Sequence, residues 1–105
     1  MGMNMQKLMQ QAQKMQAKMA TMQEELAQRA VDGTAGGGMV KATCNGQRDL
    51  LGITIDPEVI DPDDIEMLED LIVAAVNDAM RAATEMAAAE MQKITGGMGL
   101  PPGMF

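Results

Sequence analysis

Lys7, Lys14 and Lys18 fall at steps of seven and four residues. On a helix this spacing confines them to a stripe about 40° wide. Residues 1–23 contain no Asp or Glu, so nothing nearby in sequence neutralises the stripe. Gln6, Gln10, Gln11 and Gln13 surround it. The chemistry such a set can perform is capture of a polyanion. Each ammonium meets one phosphate, binding weakens steeply with salt, and glutamine amides add contacts to backbone or bases. The plain alternative is a solvated helix face, since three lysines on a surface helix are ordinary.

Other chemistries are poorly supplied. The chain has no His and one Cys, Cys44, which removes His-based acid–base catalysis, His/Cys zinc sites, catalytic triads and intramolecular disulfides. Cys44 reads as a small buried hydrophobe in a reducing compartment. Gly36-Gly37-Gly38 is not followed by Gly-Lys-Ser/Thr, and a strand rather than a helix comes next, so it reads as a turn and not a phosphate cradle. The acids between Asp56 and Asp70 lack calcium-loop spacing and read as helix-start residues. Thioether capture of copper(I) by Met1, Met3 and Met5 is a minor reading beside packing. No activated nucleophile is evident. The chain is expected to be no enzyme, with no metal and no cofactor.

The stripe must be carried by a helix, and the same residues predict one. Met5, Leu8, Ala12, Met15, Met19, Met22 and Leu26 recur at alternating steps of three and four, with Gln, Lys and Glu on the other faces. No Gly or Pro interrupts the run, and its residues favour helix. A helix over 4–30 is roughly 40 Å long at ~1.5 Å per residue, too long to bury within one small domain. Leu8, Met15, Met19, Met22 and Leu26 are therefore expected to pack against the rest of the domain or a second copy. With fourteen methionines and one aromatic residue the core is thin, which also favours a homodimer.

Short strands follow, at about 31–33, 38–44 and 49–56. Val40, Ala42 and Cys44 form one alternating face, and Leu51, Ile53 and Ile55 another, both expected to be buried. Asn45-Gly46 signals a hairpin. A four-residue or bulged connection, pairing Ala42 with Leu51 and Val40 with Ile53, is preferred over a two-residue turn. A second helix is expected over 62–94, with Asp61 as N-cap and Pro62 at the first helical position. Its apolar face runs from Ile65 through Leu68, Ala75, Ala79 and Ala83 to Met86. Residues 1–95 make one domain, and 96–105 a Gly/Pro/Met tail. The fold class is α+β, in the order α-β-β-β-α, with two long helices flanking a small antiparallel sheet.

The net charge of −7 is unevenly spread. The N-terminal 23 residues are basic, whereas 56–70 hold eight acids and no base. The two ends carry opposite fields, and the acidic end would turn a polyanion toward the lysine helix. No continuous apolar run marks a signal peptide or a membrane span, so the chain is expected to be cytoplasmic.

Several pieces in order resemble the YbaB/EbfC family of bacterial nucleoid-associated DNA-binding proteins. These are Ala12-Gln13-x-Met15-Gln16 with Met19, Met22 and Glu25-Leu26; Gly33-x-x-Gly36-x-Gly38-x-Val40-Lys41 running to Asn45-Gly46; Ile55-Asp56-Pro57; Met67-Leu68-Glu69-Asp70-Leu71 with Ala75, Asn77, Asp78 and Ala79; and Gly97-Met98-x-Leu100-Pro101-Pro102-Gly103. The resemblance implies a tweezer-like homodimer whose helices project from a central sheet. It also implies double-stranded DNA as partner, nucleoid location, and an architectural or regulatory role. A further protein partner from DNA repair or recombination is implied too. DNA contacts are expected at Lys7, Lys14, Lys18, Gln11 and Arg81. Packing and dimer contacts are expected at Leu8, Met15, Met19, Met22, Leu26, Val40, Leu51, Ile53 and Ile55. The alternative is a structural module that docks a protein partner through its Met-rich helical surface.

Overall fold

The computed structural model describes residues 5–97. The elements in order are α1 (Met5–Gln28), β1 (Ala30–Ala35), β2 (Val40–Asn45), β3 (Leu50–Ile55), a single 3-10 turn (Pro57–Val59) and α2 (Ile65–Gly97). The strands form one antiparallel sheet in the order β1-β2-β3. The molecule is elongated, with extents of 75 × 25 × 16 Å.

The sheet and α2 meet through small residues. Val40, Ala42 and Cys44 of β2 are fully buried beneath Ala75, Ala79 and Ala83 of α2. Gly33 of β1 lies so near α2 that a Cβ there would fall 2.5 Å from the Ala75 carbonyl oxygen. A glycine and three alanines let the helix axis sit low on the sheet, with Leu68, Leu71, Ile72, Val76 and Met80 closing around the seam. The turn after β1 uses Gly36, Gly37 and Gly38 at φ of 63°, 69° and 92°, a left-handed run suited to glycine.

β1 is longer than the expected 31–33 and pairs with β2 along its whole length, from Ala30↔Asn45 to Ala35↔Val40. The β2–β3 connection is bulged, as the apolar pattern required, but its register is two residues beyond the expected one. Ala42 pairs with Ile53 and Val40 with Ile55, and Leu51 is the extra residue between Gly52, opposite Thr43, and Leu50, opposite Cys44. An even shift preserves the alternation, so Ile53 and Ile55 still share the face of Ala42 and Val40.

Burial of β3 is the main correction within the protomer. Leu51 is 58% exposed, Leu50 45% and Ile53 39%; only Ile55 is partly covered. The cause is geometric: α2 lies across β1 and β2 and scarcely reaches β3.

The start of α2 also differs. Pro62 and Asp63 form a turn in which the Asp64 N–H donates to the Asp61 carbonyl (2.9 Å). The N-cap is Asp64, whose Oδ1 accepts from the Met67 N–H at 3.1 Å. Asp61 instead accepts from the Asp63 N–H at 2.9 Å. α2 continues past the expected end at Ile94 to Gly97.

α1 runs antiparallel to the last turns of α2. Arg29, just past its end, pairs with Glu90 at 2.8 Å, while Ala17, Thr21 and Met22 line a cleft with Lys93 and Ile94. Along the predicted seam, Met22 and Leu26 are buried, Met15 and Met19 are half-buried, and Met5 and Leu8 are exposed. The seam thus packs only at its C-terminal half. Leu8, expected as a packing residue, is 44% exposed. The N-terminal half of α1 projects as an arm.

Candidate nucleic-acid interface

The arm is held at its root by the hairpin rather than by residues of its own. The last carbonyls of a helix lack intrahelical partners. Here the Gly46 N–H donates to the Leu26 carbonyl at 2.7 Å and the Arg29 carbonyl at 3.1 Å. The Asn45 side-chain amide donates to the Ala27 carbonyl at 3.2 Å, and that of Gln47 to the Gln23 carbonyl at 3.0 Å. The β2–β3 turn is therefore the C-cap of α1. A second brace is ionic. Glu90 of α2 accepts from Arg29 at 2.8 Å and from Lys93 at 3.2 Å, and these two bonds hold its carboxyl below the ordinary glutamate value.

On this root stand Lys7, Gln11, Lys14 and Lys18, all exposed on α1. Lys7 and Lys14 lie on the projecting half. Lys18 lies where α1 meets α2, lining one cleft with Lys93, Thr21, Glu25 and Glu90. Lys93 of α2, paired with Glu90 at 3.2 Å, thus shares a cleft with Lys18, although it falls outside the expected set. Only the antiparallel approach of the helices brings Lys18 and Lys93 together, and no spacing within the sequence signals it.

Arg81 lies apart from the arm lysines. It is exposed on α2, 3.5 Å from Asp78, and shares a shallow cleft with Arg48, Asn77, Met80, Thr84 and Glu85. Arg48 occupies the left-handed region (φ 66°) in the hairpin turn, where the Asn45 Oδ1 accepts from the N–H groups on either side, Gln47 at 2.9 Å and Asp49 at 3.0 Å. The expected set thus splits between an arm group, Lys7, Gln11, Lys14 and Lys18, and a body group around Arg81 and Arg48. The Asn45-Gly46 signal marked the turn, but nothing in the sequence placed Arg48 beside Arg81.

The acidic run from Asp56 to Asp70 lies around the 3-10 turn and the first turns of α2. Asp56 accepts from the Glu58 N–H at 2.9 Å, and Asp61 and Asp64 serve the turn and cap described above. Among the described residues no group of three or more His, Cys, Asp or Glu side chains is placed to hold a metal ion. Likewise no described helix is long and apolar enough to cross a membrane. Met1 and Met3, named as weak thioether candidates, and the tail from Met98 lie outside the described residues.

The chain is similar in fold and in sequence to known proteins. The fold is similar to that of HP0035, an uncharacterized protein of Helicobacter pylori, with a TM-score of 0.77 over 89% of this chain and 98% of that one at 22% sequence identity. A nucleoid-associated protein of Caldanaerobacter subterraneus subsp. tengcongensis is 57% identical over 104 residues, covering 99% of this chain and 93% of the relative. One of Desulforamulus reducens is 57% identical over 105 residues, covering 100% and 99%. The model of the YbaB/EbfC DNA-binding family matches residues 1–98. With its α-β-β-β-α order, its lysine-bearing arm and this match over nearly its whole length, the chain belongs to the YbaB/EbfC DNA-binding family.

Proposed function

We propose that the protein acts as a homodimer on the bacterial nucleoid, in the cytoplasm, where it grips duplex DNA mainly through phosphates with the lysines of its α1 arms and serves an architectural or regulatory role. The observation that carries this reading is the arm itself. In a chain of net charge −7, residues 1–23 hold three lysines and no acid, and the helix half among them stands clear of the body, with Lys7 and Lys14 on its surface and Lys18 at its base. A projecting basic helix can approach a polyanion with Lys7 and Lys14 while acids more than a Debye length of about 8 Å from the contact are largely screened at physiological salt.

The dimer reading rests on β3. Its apolar residues Leu50, Leu51 and Ile53 are uncovered, and Ile65 and Val73 of α2 are exposed as well. An edge strand with exposed apolar residues is a liability to a monomer and a natural isologous interface for a pair. Two-fold pairing doubles the three arm lysines, and Arg81 supplies a further cation on the body.

The test is binding to random duplex DNA across a salt series, for wild type and for a Lys7→Glu, Lys14→Glu, Lys18→Glu triple variant. Removing one lysine–phosphate pair should flatten the slope of log K against log salt by about 0.9. The expected result is a weaker, flatter response in the variant. Equal affinity in the two proteins would sink the arm model. Absence of any duplex shift at low salt would favour the alternative of a module docking a protein through its Met-rich surface.

A further inference from the structure

The Asn45-Gly46 dipeptide has a role that DNA binding leaves unused. Its polar groups are fully committed at the root of the arm. Asn45 is 6% exposed. Its Nδ2 donates to the Ala27 carbonyl and to Asp49 Oδ2, both at 3.2 Å, while Oδ1 accepts from the Gln47 and Asp49 N–H groups. The Gly46 N–H is shared between the Leu26 and Arg29 carbonyls. A Cβ at Gly46 would fall 2.7 Å from the Leu26 carbonyl oxygen, so the turn must carry glycine to dock here.

Asn followed by Gly is also the dipeptide whose backbone is least hindered for attack on the preceding side-chain amide, because glycine adds no side chain and leaves the chain free to rotate. We propose that Asn45 is a latent covalent modification site, a latch that deamidates when the root of the arm opens and cannot then re-close. The reaction needs only water. The Gly46 nitrogen gives its proton to solvent and attacks Asn45 Cγ. A C–N bond forms, and the Nδ2 group takes up a proton and leaves as ammonia. One water then opens the resulting five-membered imide, giving aspartate or isoaspartate.

In the closed latch both partners are restrained. The Gly46 N–H is engaged by two carbonyls, and the Asn45 amide is fixed by four hydrogen bonds. Attack therefore belongs to the opened state. The product cannot remake the latch, because a carboxylate has no hydrogen to give. It would set acceptor against acceptor at the Ala27 carbonyl and like charge against Asp49. In the isoaspartate form the main chain is also one atom longer at the turn. The arm would then stand on a root lacking its hairpin cap.

The full chain is incubated at mildly alkaline pH, in buffer and in urea, and conversion of the peptide containing residues 45–46 is followed by mass spectrometry. Opening free energies of local segments translate directly into protection, so conversion in buffer should be at least about tenfold slower than in urea. Glu90→Gln, which removes the ionic brace without touching the dipeptide, should speed conversion in buffer. The modified protein, separated by ion exchange, should show faster hydrogen exchange over residues 23–29 than the unmodified protein. Equal rates in buffer and urea, no acceleration in Glu90→Gln, or unchanged exchange in the modified protein would each overturn the proposal.

Discussion

Gly33 lies in direct contact with the backbone of Ala79, so that α2 rests on β1 with no side chain between them. An added methyl would overlap the Ala79 nitrogen and the Ala75 carbonyl, and both belong to helix backbone that cannot step aside. Gly33 is opposite Ala42 in the sheet, itself fully buried, which closes the other route of escape. Gly33→Ala should therefore lift α2 off the sheet and destabilise the protein by about 3 kcal/mol, at the upper end of overpacking costs. Urea denaturation followed by circular dichroism measures it. A change within about 0.5 kcal/mol, the scatter of neutral surface substitutions, would show that the helix can move aside freely.

Glu90 makes the root of the arm sensitive to acid. Hydrogen bonds from Arg29 and then Lys93 lower its pKa from the ordinary 4.5. A depressed folded-state pKa means that the brace is fully present above the ordinary value and is lost as pH falls through the folded one. Amide exchange in the last turns of α1 should therefore rise, relative to the intrinsic rate, as pH drops below about 4.5. Glu90→Gln should show the raised exchange already at neutral pH and lose this pH dependence. Because both partners, Arg29 and Lys93, reach Glu90 from the solvent side, global stability should change little while the local signal is clear.

What the sequence disclosed and what it hid divide along the range of the interaction. The lysine stripe and the heptad seam are periodic within one helix, so both were legible; α1 spans Met5–Gln28, inside the expected bounds. The end of α1 was less so, because Gly46 and Asn45 cap it from a hairpin that lies far along the chain. The helix start expected at Asp61-Pro62 came three residues too early, because Pro62 suits the second position of a turn as well as the first of a helix; the turn formed and Asp64 became the cap. Alternation revealed the apolar face of β3 but not that α2 stops short of it. The same limit applies to the candidate site. Lys14 and Lys18 share a face by local period, whereas Lys18 beside Lys93, and Arg48 beside Arg81, are products of tertiary approach.

Cys44 should be inert while the protein is folded. Its side chain is fully buried between sheet and helix, with Sγ 3.9 Å from Met80 Sδ, and burial, followed by the nearby charge of Asp49, raises its pKa above the ordinary 9.0. The thiolate is the reactive form, so both effects suppress reactivity. A maleimide probe should label the native protein far more slowly than the urea-unfolded one. By linkage, this thiol favours the folded state fully below its ordinary pKa, and that contribution declines as pH rises toward the folded value. Rapid native labelling at neutral pH would mean that the sheet–helix seam opens readily.

The uncovered face of β3 yields the sharpest statement about assembly. Ile53 pairs with Ala42 on the face that α2 covers elsewhere, yet it is 39% exposed, and Leu51, released from the ladder by the bulge, is 58% exposed. If a second copy covers them, a charge there must be desolvated on pairing, at a cost of several kcal/mol. Ile53→Asp should shift the mass measured by light scattering from dimer toward monomer, while its exposure in the protomer lets the fold survive. Lys7→Glu, on the projecting arm and distant from β3, should leave the mass unchanged. A dimer surviving Ile53→Asp would move the interface away from this edge. A monomeric wild type would require the apolar strip to serve some other partner. In the expected case duplex affinity falls with dimer loss, because each monomer retains only one arm and so forfeits the effective concentration that couples the second arm to the same DNA.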